Sequence, residues 1–373
     1  MPVGGGNIDG PATDRPGHIG ALDGLRFLAA YIVFLSHFSN ETNLFSKLLG
    51  SGAGQIGVMI FFLLSGFLMG HLYLSSPCNW STVKRFAGNR VARIAPLYYS
   101  IVLASIAATA WGHPGFLFAI KGGSIVHHLF LIKGDSVLWT IPVEMQFYAA
   151  FIALWFVHSK SKIGAICIVA VLIYVIVLFY SRVANWQWQL LHFAHFFLTG
   201  VLVSLFAPLA RDRLEKLSWG PRVSDFGFVV SLALVILSYP QIYHRVFGVE
   251  LLASGWGELK VLMACATLLA TAAQSRIATS ILASRGMAFG GAISYSIYLL
   301  HIPVMMAVKS AMGSDRVVLL FIACNAIVML VAVASYYLIE LPSQRYLRGW
   351  FANTARLAAP EPGLHLASDN ARS

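Results

Sequence analysis

The stretch LDGLRFLAAYIVFLSHF, residues 22–38, decides how the rest of the chain is read. It is apolar along most of its length, yet it holds an arginine near its start and a histidine near its end. Arg26 and His37 are eleven residues apart. At about 3.6 residues per turn this spacing completes about three turns, so both side chains fall near one helical face. At about 1.5 Å per residue they stand roughly 16 Å apart along the axis, about half the thickness of a bilayer's hydrocarbon core. An ionisable group at that depth is expensive unless it faces a cavity or a partner, and it therefore marks a functional position.

Working outward, 58% of the 373 residues are hydrophobic and only 11% are charged, with a mean hydropathy of +0.73. An average soluble domain carries about 25% charged residues, so this composition describes an integral membrane protein. Apolar segments at 24–41, 56–74, 94–111, 137–157, 163–181, 189–208, 224–240, 250–273, 287–307 and 317–339 predict an all-α bundle of about ten transmembrane helices. With the N-terminus inside, about seventeen Lys and Arg fall in inner segments and about seven in outer ones. That bias follows the positive-inside rule, places both termini in the cytoplasm and accounts for the net charge of +11 without a nucleic-acid partner. Residues 1–20 are Gly- and Pro-rich and lack the apolar core of a cleavable signal, so they read as a disordered tail and the first span as the insertion signal. Residues 351–373 read as a flexible cytoplasmic tail, leaving 21–350 as one membrane domain. Cys78, Cys167, Cys265 and Cys324 show no CxxC spacing and read as small packing residues.

Four further segments carry polar residues that apolar packing does not require. In FFLLSGFLMG, Ser65 and Gly66 permit close approach by either a slender ligand or another helix. In KRFAGNRVARIAPLYY, Arg90 and Arg93 stand three apart before an apolar run. They form a phosphate clamp at the membrane surface or, more simply, a topological anchor. In SVLWTIPVEMQFYAAF, Thr140 and Pro142 suit a helix start and put Glu144 near the positive end of the helix dipole. In ISYSIYLLHIPVMM, His301 lies deep in its span, just before Pro303. At about 1.5 Å per residue, His37, Glu144 and His301 all fall about 20 Å from the inner face, which predicts a shared polar chamber above an arginine-lined mouth. His192 and His195 have no carboxylate or cysteine beside them, so no metal is assigned; His127 and His128 read as solvated loop residues.

These segments, with the closing IELPSQRYLR and in this order, resemble the membrane-bound acyltransferase family 3, bacterial carbohydrate O-acyltransferases, over about residues 20 to 345. The resemblance implies an acyl-CoA co-substrate, acetyl-CoA in the simplest case, and a carbohydrate or glycolipid acceptor. It also implies a multi-pass protein of the bacterial cytoplasmic membrane, in contact with lipid. Carried onto this chain, Arg26, Arg90 and Arg93 bind the donor's phosphates, and its arm passes Ser65 and Gly66. His37 and Glu144 are catalytic; His301, Tyr148 and Trp139 meet the acceptor. Mouth and imidazole should then share one continuous passage. Phe27 departs from the small residue usual after the arginine and adds bulk beside the mouth. The extracytoplasmic hydrolase-like domain of some relatives is not in this sequence, so transfer is expected to finish on this chain or pass to a separate protein. A transporter or flippase for an anionic lipid-linked sugar would use the same inner arginines and buried histidines. A non-catalytic sensor or assembly subunit is a third class.

Overall fold

The computed structural model describes residues 19–44, 48–161, 163–181 and 190–357. The tail expected at residues 1–20 lies almost wholly outside the described residues, and so does the other tail from 358 onward. The chain forms α1 (Gly20–Thr42), α2 (Ala53–Tyr73), α3 (Trp80–Ala110), a short α4 (Gly123–Leu129) and, after a 3-10 turn at Ser136–Trp139, α5 (Thr140–Ser161). There follow α6 (Ile163–Ser181), α7 (Leu190–Glu215), α8 (Gly220–Leu237), the short α9 (Pro240–Phe247), α10 (Leu259–Ala272) and α11 (Arg276–Leu282). The last are α12 (Arg285–Met312), α13 (Val317–Ser335), a π-helical turn at Tyr336–Glu340 and α14 (Leu341–Leu357).

Among the described residues, eight helices are long and apolar enough to cross a membrane. Of the other two expected spans, α6 (Ile163–Ser181) is one continuous apolar helix that matches the expected 163–181 segment, whereas α10 continues into α11 only across a bend of 85°. Large apolar side chains such as Ile168, Leu330 and Leu338 point outward and are mostly exposed. That surface suits hydrocarbon and makes this a multi-pass membrane protein.

Two boundaries differ from expectation for physical reasons. Helix α3 begins at Trp80 and not at 94, because Asn79 caps it: the Asn79 side chain accepts from the Thr82 N–H at 3.0 Å and Thr82 returns the bond. Arg90 and Arg93 therefore lie inside a continuous helix. At the other end α14 runs through 350, and the Phe351 ring lies over Gly88 of α3.

In a bilayer helices associate through close packing, since lipid tails are as apolar as leucine. Here α1 lies between α2 and α12, while α2 packs along α7 and α14 along α3. The α2–α7 contact is the tightest. A Cβ on Gly66 would stand 1.8 Å from the Phe197 carbonyl oxygen, and one on Gly200 would stand 2.0 Å from that of Leu63. Only hydrogen fits at either place. Beside this seam Phe62 and Phe197 stack with ring centres 4.4 Å apart. The four cysteines are free thiols; Cys265 and Cys324 are buried.

Candidate active site

A cavity opens between α1, α2, α3, α5 and α12. Arg26 enters from α1, Ser65 from α2, Arg90 and Arg93 from α3, and Glu144 and Tyr148 from α5. One face of α12 closes it with Ser294, Tyr295 and Tyr298. The three arginines and Ser65 thus meet as the sequence suggested, but Gly66 does not join them. Its α-carbon is pressed on the α7 backbone, so of the two readings of this pair Ser65 takes the cavity and Gly66 the helix contact.

Each charge in the cavity has a defined setting. Arg26 Nη1 donates to Asp23 Oδ1 at 2.7 Å, one turn earlier in α1. Ser65 Oγ and Tyr148 OH both donate to Glu144 Oε1, at 2.6 and 2.5 Å. Two donors on one oxygen hold the carboxylate in place and leave Oε2 for another group. The Arg90 guanidinium lies over the Tyr148 ring, 5.8 Å from its centre, a favourable place for a cation. Its Nε is buried with no hydrogen-bond partner. A buried donor left unpaired costs about 1–3 kcal/mol, so an incoming anion that pairs it regains that energy.

The two histidines lie elsewhere. The His37 and His301 rings are neighbours, with centres 5.2 Å apart, and neither lines the cavity. His301 Nδ1 donates to the Tyr298 carbonyl at 2.7 Å, which leaves Nε2 as the acceptor of the neutral ring. That Nε2 is buried and unpartnered. Tyr298 stands between: its ring is 6.1 Å from that of His301 and 5.8 Å from that of Phe61, and both Phe61 and Tyr298 line the cavity. The cavity lining thus ends at Phe61 and Tyr298 and does not reach either imidazole. A helix face crowded with Ile, Leu and Tyr side chains closes any gap that nothing occupies.

Glu144 corrects another expectation. It shares no hydrogen bond with either histidine among the described residues, because its α5 face turns it to Ser65 and Tyr148. The nearer carboxylate on His37's own helix is Glu41, one turn on, and Glu41 Oε2 accepts from Lys309 Nζ of α12 at 2.8 Å. Trp139 packs behind Phe62 with Phe193 and Trp256, outside the cavity lining. Phe27 does not crowd the mouth, since its ring sits where Gly290 of α12 has no side chain. His128, read as solvated, is fully buried: Tyr98 OH lies 3.1 Å from Nδ1, and the Asp135 backbone N–H donates to Nε2 at 3.2 Å.

Asp23, Tyr295 and Tyr298 were not singled out from sequence, although all three stand inside quoted segments. Ser294, Tyr298 and His301 recur at helical spacing, the pattern of a polar stripe on an otherwise apolar span.

Residues 19–338 match the family described as Acyltransferase domain. The chain is 28% identical over 166 residues to the peptidoglycan O-acetyltransferase OatA of Listeria monocytogenes, covering 38% of this chain and 25% of that protein. It is 24% identical over 370 residues to the putative peptidoglycan O-acetyltransferase YrhL of Bacillus subtilis, covering 88% of this chain and 55% of that protein. It is 27% identical over 158 residues to the acyltransferase MdmB of Streptomyces mycarofaciens, covering 36% and 38%. The chain thus spans no more than about half the length of these relatives. No solved structure matches.

Proposed function

The chain belongs to the acyltransferase-domain family, and on that premise we propose that it moves an acyl group, acetyl in the simplest case, from acyl-coenzyme A to a carbohydrate hydroxyl across the bacterial cytoplasmic membrane. The observation that carries this reading is the cavity in which Arg26, Arg90 and Arg93 converge around a buried, unpaired Arg90 Nε. Guanidinium groups grip phosphate in forked, charge-assisted bonds, and a coenzyme A thioester carries both phosphates and a slender arm. The named activity of OatA and YrhL toward peptidoglycan supports a carbohydrate acceptor.

In this proposal the donor's phosphates rest on the arginines and its arm runs past Ser65 toward Phe61 and Tyr298. Rotation of the Tyr298 ring joins that arm to the imidazole pair behind it. His37 accepts the hydroxyl proton as the oxygen attacks the acyl carbon; the sulfur leaves as thiolate and is protonated to the free thiol. His301, fixed through Nδ1, offers Nε2 to the acceptor or to the His37 proton. Glu144, with Oε2 available, orients the donor arm or the acceptor. The test uses membranes with acetyl-CoA and purified cell-wall or lipid-linked glycan, reading thiol release and acylated glycan together. Wild type should give both in equal amounts, and His37→Ala at equal membrane abundance should give neither. Glycan acylation retained by His37→Ala would remove that residue from the chemistry. Solute movement without thiol release would favour transport.

A further inference from the structure

The closing motif IELPSQRYLR, residues 339–348, takes no part in the cavity lining. Yet its Glu340 is 3% exposed, a carboxylate inside a spanning segment. Such a group is costly there unless a counter-charge or a task compensates it. The Ser296 hydroxyl donates to Glu340 Oε1, and the Ser335 hydroxyl lies 3.0 Å from that of Ser296. These hydroxyls satisfy hydrogen bonding without balancing a charge. Glu340 also ends the π-helical turn Tyr336–Glu340, a local widening that recurs at functional sites.

The geometry leads from this carboxylate to the cavity. Ser296 is the residue after Tyr295, which lines the cavity and whose OH donates to the Ile94 carbonyl at 2.9 Å. Ile94 in turn is the residue after Arg93. Two hydrogen bonds and two peptide links thus tie Glu340 to the Arg93 backbone through the cavity wall. Beyond Glu340, α14 lies along α3, with Pro342 and Ser343 across a groove from Ala95 and Pro96. Glu340 accordingly sits beside the turn of α3 that carries Arg93. Asp23 pairs with Arg26, and Arg90 lies over the Tyr148 ring whose OH donates to Glu144; among the described residues Arg93 has no ion pair within 4 Å, and Glu340 is the buried carboxylate on the turn packed against α3.

We propose that Glu340 is a positioning residue of the anion clamp: from behind the cavity wall it holds Arg93 in the orientation that receives the donor's phosphate. This rests on the reading of the cavity as the acyl-CoA site. The experiment compares wild type, Glu340→Gln, Arg93→Gln and the double variant, reconstituted in nanodiscs, with acetyl-CoA as the probe. Thiol release gives KM and kcat, and calorimetry gives coenzyme A binding. Glutamine keeps the size and can still accept from Ser296, so Glu340→Gln should raise KM about tenfold and leave kcat nearly unchanged. In the Arg93→Gln background the same change should add less than about twofold. An unchanged KM in Glu340→Gln, or an equal effect with and without Arg93, would overturn the proposal and leave a purely structural carboxylate. If Glu340→Gln does not accumulate, Ser296→Ala replaces it. A KM rise of about threefold that vanishes in the Arg93→Gln background supports the proposal, and an unchanged KM overturns it. Wild type that neither binds coenzyme A nor releases thiol would refute the donor-site reading itself. Normal wild-type binding with an unmoved Glu340→Gln refutes only the role of Glu340.

Discussion

Gly66→Ala separates the two readings of the SGF segment. The added Cβ would lie 1.8 Å from the Phe197 carbonyl oxygen, whereas ordinary contact begins at 3.4 Å. The backbones of α2 and α7 must therefore part by about 1.6 Å, a shift that backbone atoms can make only by moving whole turns. Overpacking of this kind costs about 1–3 kcal/mol, with backbone against backbone toward the upper end. Ser65, the preceding residue, holds Glu144 with a 2.6 Å bond, and a displacement of that size would break it. A misplacement of about 1 Å near reacting groups can cost about a hundredfold in rate. The expected outcome is thus a lowered melting temperature in detergent together with acyl transfer reduced at least tenfold. Gly200→Ala, which meets the Leu63 carbonyl oxygen at 2.0 Å, should do the same from the far side of the seam. A Gly66→Ala protein that melts normally but shows a raised KM for acetyl-CoA would refute the reasoning, because it would put Gly66 against the donor and not against α7.

Other predictions concern single contacts. Ser65→Ala removes one of two donors to Glu144 Oε1 and should lower acyl transfer more than Tm, whereas Tyr148→Phe should do the same and also loosen coenzyme A binding through Arg90; equal behaviour of both variants with wild type would count against the Glu144 setting. The Glu41–Lys309 pair is 42% and 26% exposed, so Lys309→Met should cost no more than about 1 kcal/mol, and the deficit should disappear in molar salt. His128, in the loop before α5, has its pKa lowered from 6.5 by burial, against the opposing hydrogen bond to Asp135. A depressed histidine value means that the unfolded chain takes up the proton first, so this contribution is complete above about pH 6.5 and is lost as the pH falls. Melting curves from pH 7.5 to 5 should show a decline that is shallower in His128→Gln; parallel declines would refute it.

The arginine mouth was legible in the sequence because charge beside an apolar run has few places to go. Arg26, Arg90 and Arg93 could be brought to one level by counting residues, and all three line one cavity. The same counting misled for Glu144. Depth along an axis is one coordinate, and the direction in which a side chain leaves the helix is another. Rise per residue fixes the first, while the second depends on which helices are neighbours, and that turned Glu144 to Ser65. Gly66 was open to a better reading, since Gly70 follows four residues later in the small-xxx-small pattern of membrane helix contacts. The start of α3 was hidden because hydropathy records only the apolar part of a helix, whereas the Asn79–Thr82 cap sets its end. The burial of His128 depends on Tyr98, thirty positions earlier, and no local pattern near the Gly-rich loop carries that information.

The aromatic closure formed by Phe61 and Tyr298 has a consequence for the cell as a whole. A membrane that stores energy as an ion gradient cannot hold a water-filled tunnel open while an enzyme waits for its substrates. In the proposed route the Phe61–Tyr298 contact, with ring centres 5.8 Å apart, is a septum against hydrated ions that the donor arm must displace. On that proposed route leak resistance and turnover depend on the same residue, so bulk at position 298 answers to bioenergetics as much as to catalysis.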